Sequence, residues 1–123
     1  MTGELGKVCL APFVCGSPGE SMIGTERVST YDPGKIQSLF KEAGYSGEPL
    51  VLMDPTDQSN QHALTQVLNE HMKKAGLNVD LQAMDWSTLV SRRAIKTPPA
   101  VDRGGWHIFP TAWPSAAMMD PFF

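Results

Sequence analysis

The chain has 123 residues, 41% of them hydrophobic and 19% charged, with a formal net charge of −3. That balance suits one globular domain with a modest core and excludes a disordered chain. It offers no basic field for nucleic acid and no basic amphipathic helix for a membrane surface, and no apolar run approaches the roughly 20 residues of a membrane helix.

Residues 1–30 carry neither helical nor strand spacing, and Gly3, Gly6, Pro12, Gly16, Pro18, Gly19 and Gly24 interrupt them. A structureless stretch of that length is uncommon inside a compact domain. It reads as a wrapping segment, or as part of something larger. Met1 to Lys7 is not a signal peptide by pattern, because the apolar stretch behind it is short and broken by Cys9 and Pro12. Cys9 and Cys15 leave two readings open: a disulfide formed in an oxidising compartment, or two free thiols.

Tyr31-Asp32-Pro33 opens a helix, with Asp32 as N-cap and Pro33 in the first turn. Ile36, Leu39, Phe40 and Ala43 make its expected buried stripe, and Gly44 closes it. Leu50 to Met53 is a short apolar strand stopped by Asp54-Pro55. A long helical pattern follows, with Leu64, Val67, Leu68, His71, Met72 and Ala75 at steps of three and four. Lys73 and Lys74 suit its carbonyl end, and Gly76 can take the left-handed conformation that stops it. Val79, Leu81 and Ala83 then alternate with Asp80, Gln82 and Met84, which is strand spacing. Two strands joined by a helix of this length are most simply parallel. Asp85 or Ser87 caps a third helix over Trp86 to Ile95, ended by Lys96-Thr97-Pro98-Pro99. A third strand is expected over Trp106 to Thr111, with Pro110 marking an edge or an end.

In parallel sheets small molecules gather beyond the carboxyl ends of the strands. Those ends are the Asp54 to Ser59 loop and the Met84-Asp85-Trp86 turn. Thr56, Asp57 and Ser59 read either as an anion site or as ordinary helix capping, with capping favoured. No metal site or cofactor is expected. His62 and His71 fall on roughly opposite sides of one helix, and Asp54 with Asp57 makes too small an acidic set. No nucleophile elbow, redox CxxC or phosphate loop is present, so no enzyme is expected.

The ordered set Tyr31-Asp32-Pro33, Ala43-Gly44-Tyr45, Lys74-Ala75-Gly76-Leu77-Asn78-Val79, Asp85-Trp86, Gly105-Trp106, Trp113 and Asp120-Pro121 resembles the solute-binding proteins of ATP-driven importers. More narrowly, it is similar to the bacterial extracellular family 5, which includes dipeptide, oligopeptide and nickel binders. The resemblance runs from Tyr31 to the end of the sequence. It implies an α/β fold: a partial lobe of a type II periplasmic binding protein, with a short, mostly parallel sheet flanked by helices. Residues 31–123 would be that lobe fragment and residues 1–30 the wrapping segment. It implies a periplasmic full-length protein that closes two lobes over a peptide-like or other small-molecule solute and docks on a membrane permease. The chain itself reads as an excised piece, whose uncovered face would favour a homodimer.

The resemblance also implies solute contacts. Trp86 matches the Trp that opens the third helix at the cleft, and Val90 and Arg93 match further cleft positions. Steps of four and seven place these three on one helical face independently. Trp113 matches the aromatic beyond the third strand, with Pro114 and Ser115 beside it, and Asn60 matches a further position loosely. In the peptide-binding relatives an Asp three residues past that Trp holds the ligand's amino group; Ala116 stands there. Two rival readings remain: a stand-alone α/β interaction module, which would bury Phe122 and Phe123 within itself, and a small thiol-dependent enzyme using Cys15.

Overall fold

A computed structural model describes residues 9–11, 15–27, 31–100, 102–113 and 117. The chain forms two compact units, Met1–Tyr31 with Trp113–Phe123, and Asp32–Ala112. Among the described residues no helix is long and apolar enough to cross a membrane.

The first unit is held by local closures. A disulfide joins Cys9 to Cys15, which decides between the two readings of the thiols and removes the nucleophile a thiol enzyme would need. A turn runs from Ser17 to Glu20, and the Glu20 carboxylate accepts from the Gly16 N–H at 2.7 Å. A second turn, Met22 to Thr25, leads into a short 3₁₀ turn, Thr25–Arg27. Gly24 takes φ 84° there.

The second unit begins with helix α1, Pro33–Glu42, capped by the Asp32 carboxylate, which accepts from the Lys35 N–H at 3.0 Å. Strand β1 is Leu50–Pro55, helix α2 Ser59–Lys74, strand β2 Val79–Met84 and helix α3 Trp86–Arg93. α1 and α2 end in the same way. Gly44 and Gly76 take φ 85° and 78°, and the next residue's N–H reaches back, Tyr45 to the Phe40 carbonyl and Leu77 to the Met72 carbonyl. In both cases the pair that closes the motif is apolar and in contact or clustered: Phe40 and Tyr45 pack edge to face at 5.3 Å, and Met72 and Leu77 share the core. Such closure satisfies the last helical carbonyls.

β1 and β2 pair in parallel, from Leu50 opposite Val79 to Pro55 opposite Met84. The core on one side of the sheet is Leu52, Met72, Ala75 and Leu77, with Ile36, Phe40, Leu50, Leu68, Val79, Leu81 and Ile108 packed on it. Strand alternation sends the buried Val51 and Met53 to the opposite face. α3 packs on β1 and contributes the fully buried Leu89.

Three expectations are corrected. The third strand is a single parallel bridge, Ile108 beside Leu52. Ile108 N–H donates to the Val51 carbonyl and accepts at its own carbonyl from Met53 N–H. On one side of that bridge, the Val51 N–H goes to the His107 ring at Nδ1, 2.9 Å away, instead of to a strand carbonyl. On the other, the next rung would need N–H groups from Pro110 and Pro55, and proline has none.

The inward stripe of α2 is rotated from the expected one. Thr65, Asn69, Met72 and Ala75 are buried, Leu68 and His71 are half-buried, and Leu64 and Val67 are 56% and 54% exposed. Its amino-terminal half turns a polar edge toward the buried Asp54, so the apolar positions on the flank face out. The α1 stripe is also thinner than expected. Ile36 and Phe40 are half-buried against the core cluster, whereas Leu39 and Ala43 are exposed. Smaller differences follow: α3 ends two residues before Ile95, and Ala83 is exposed while Met84 is half-buried.

Candidate functional site

The carboxyl ends of β1 and β2 are stitched together by the residues that follow them. Thr56 N–H donates to the Met84 carbonyl at 2.9 Å, and its hydroxyl reaches the same oxygen at 3.3 Å. The Asp57 carboxylate accepts from the Trp86 N–H at 2.8 Å. Asp85 caps α3, accepting from the N–H and the hydroxyl of Thr88 at 2.9 and 2.6 Å. These bonds, the Thr88 hydroxyl foremost, hold the Asp85 carboxyl below the usual carboxylate range. So two helix starts and two strand ends meet at one rim, where an α/β sheet presents its site.

Trp86, Val90 and Arg93 all lie on α3, beside the buried Leu89. Trp86 and Val90 are half-buried, and Arg93 is exposed. Arg93 makes no hydrogen bond or ion pair with a described residue. Its neighbour is the anchored one: Arg92 donates to the carbonyls of Gly104, Gly105 and Arg103 at 2.6, 2.8 and 3.3 Å. Sequence reasoning missed Arg92. The signal was the Gly104-Gly105 pair, whose bare backbone lets a guanidinium approach several carbonyls. Gly105 is packed so closely that a Cβ there would lie 2.5 Å from the Thr97 carbonyl oxygen.

Asn60 is exposed in the first turn of α2. Of the capping candidates, Asp57 and Thr56 bind backbone of the second strand-to-helix turn, and Gln58 sits at the α2 N-cap without a side-chain bond. Trp113 belongs to the first unit and is 52% exposed. Pro114 and Ser115 lie outside the described residues, as do Ala116, Asp120, Pro121, Phe122 and Phe123.

A second group was not singled out from the sequence. Asp54, 2% exposed at the end of β1, accepts from His62 Nδ1 at 2.8 and 3.0 Å and from the Gln66 amide at 2.8 Å. The spacing of His62 and Gln66, one helical turn apart, was a legible sign only once a buried carboxylate was known to face them. Among the described residues, no three His, Cys, Asp or Glu side chains converge as a metal site. One surface hollow of about 610 Å³ lies between α1 and the turns that start the strands, lined by Gln37, Phe40, Lys41, Tyr45 and Leu77. A smaller one of about 360 Å³ is lined by Val51, Asp80, Gln82, Pro99 and Arg103. Neither is lined by the residues of the rim.

A parallel two-stranded sheet flanked by helices, with its helix starts gathered at one rim, is part of an α/β lobe of the solute-binding kind. The chain belongs to the bacterial extracellular solute-binding proteins, family 5, whose Middle profile matches residues 3–123. It is 42% identical over 91 residues to a protein of Sinorhizobium fredii named Probable peptide ABC transporter periplasmic-binding protein y4tO. That alignment covers 74% of this chain and 17% of the relative. The chain therefore corresponds to a small part of the relative's length.

Proposed function

We propose that the protein captures a small solute, peptide-like or similar in size, for an ATP-driven importer. The full-length protein would work in the periplasm and deliver its cargo to a membrane permease. Membership of the family along nearly the whole chain is the observation that carries this reading, and the name of the Sinorhizobium relative supports a peptide as the first solute to try.

Residues 31–123 contribute to one wall of the cleft. The solute meets Trp86, Val90 and Arg93 along α3, together with Asn60, Trp113, Pro114 and Ser115. Trp86 gives a broad flat contact with a polar edge. Arg93, whose guanidinium has no partner among the described residues, offers it to a solute carboxylate. The rest of the protein supplies the opposing wall, and closure expels water from between them. The work is binding and release; no bond in the solute is broken.

The test is native mass spectrometry of the full-length protein purified from the periplasm, followed by calorimetry with whatever it carries. A co-purifying small molecule that rebinds at micromolar or tighter concentrations supports the reading. A protein that carries nothing and binds no member of a di- to pentapeptide library overturns its peptide form.

A further inference from the structure

The Asp54–His62 pair does more than join β1 to α2. Asp54 is buried and takes three contacts from two side chains. His62 is different. Its side chain is 41% exposed, and only Nδ1 is engaged, so Nε2 has no partner among the described residues. It sits in the second turn of α2, just past the carboxyl end of β1, at the end of the strands where the rim lies. A carboxylate accepts, so the ring presents its Nδ1–H to Asp54, and in the neutral ring that tautomer leaves the electron pair on Nε2. A carboxylate behind an imidazole fixes the ring's orientation. A purely structural staple needs neither a ring nor an outward nitrogen; the Gln66 amide performs that task alone one turn further on.

We propose that His62 is a solute-binding residue, its Nε2 accepting a hydrogen bond from a protonated amine of the solute, with Asp54 as the positioning residue behind it. The buried carboxylate gives the pair a negative charge that reaches the rim through the ring. A cationic N–H donor gains most from such an acceptor, and a neutral amide gains less. This rests on the reading of the protein as a solute-capturing one, and it names the chemistry of one contact in that site.

The experiment compares trialanine, which carries a free ammonium, with N-acetyl-trialanine, which does not, by calorimetry on the full-length protein. His62→Asn is the main variant, because its amide still donates toward Asp54 but carries no nitrogen where Nε2 was. His62→Ala serves as a second, with melting temperature measured for both. Trialanine binding about tenfold weaker in His62→Asn, with N-acetyl-trialanine unchanged, is the expected result. Equal losses for both peptides, or no loss for either, overturn the role of His62 while leaving peptide capture standing. Failure of the unmodified protein to bind either peptide removes the peptide reading, and this contact with it.

Discussion

The Asp57 carboxylate accepts a hydrogen bond from the backbone N–H of Trp86 across 29 residues of sequence, at 2.8 Å. One strand-to-helix turn thereby fixes the start of the helix that follows the other strand. The N–H it satisfies is one of the free donors at the start of α3. Asp57→Ala is expected to destabilise the protein by about 1 kcal/mol, because the bond is charge-assisted but exposed. Asp57→Asn keeps an acceptor and should lose less. Urea denaturation of the three proteins checks the order, and an alanine variant as stable as the parent would remove Asp57 as the tie between the turns.

Arg93 separates binding from folding more cleanly than Trp86 does, since it is exposed and has no partner among the described residues. Arg93→Ala should leave stability within about 0.5 kcal/mol. Solute affinity should fall about tenfold if the guanidinium meets a solute carboxylate. The same comparison for Trp113→Ala tests the other aromatic. A dissociation constant that does not move takes the residue off the contact set.

Helix ends were legible because their chemistry is local. Asp32-Pro33, Gly44 and Gly76 carry their instructions within four residues, and the parallel pairing of β1 and β2 followed from the length of the helix between them. The direction α2 faces was not legible. Its apolar spacing is real, yet Leu64 and Val67 point outward, because the helix answers to a carboxylate on a strand that periodicity does not see. The third strand failed for a similar reason. Alternation from Trp106 to Pro110 looked sound, but a His107 ring nitrogen takes one rung and two prolines on facing chains cancel another. At the rim, Trp86 and Arg93 came from family likeness and helical spacing. Arg92, whose partners are backbone carbonyls ten or more residues on, came from neither.

Asn69 carries a buried, unpaired oxygen among the described residues of the second unit. The residue is 4% exposed. A buried unpaired amide costs on the order of 1–3 kcal/mol, and an apolar group of similar size avoids that cost. Asn69→Leu should therefore stabilise the protein by about 1 kcal/mol, seen as a rise in the denaturation midpoint without a change in its slope. A destabilised variant would mean that the amide has a partner in the whole protein.

The cap of α3 makes part of the rim's stability depend on acid. The Thr88 hydroxyl, and then the Thr88 N–H, stabilise ionised Asp85 and lower its pKa in the folded protein. In the unfolded chain the carboxyl returns to about 3.9. The folded form thus binds this proton less readily than the unfolded one. Its contribution is complete above the unfolded value and disappears as pH falls through the lowered folded value. Thr88→Val removes the hydroxyl, the larger cause, and keeps the backbone bond. The variant should melt below the parent at pH 7, and the gap should close on acidification once Asp85 is protonated in both. Melting curves taken from pH 7 downward check this. A gap that stays constant to the lowest pH would assign the loss to packing of the threonine and not to the carboxylate it caps.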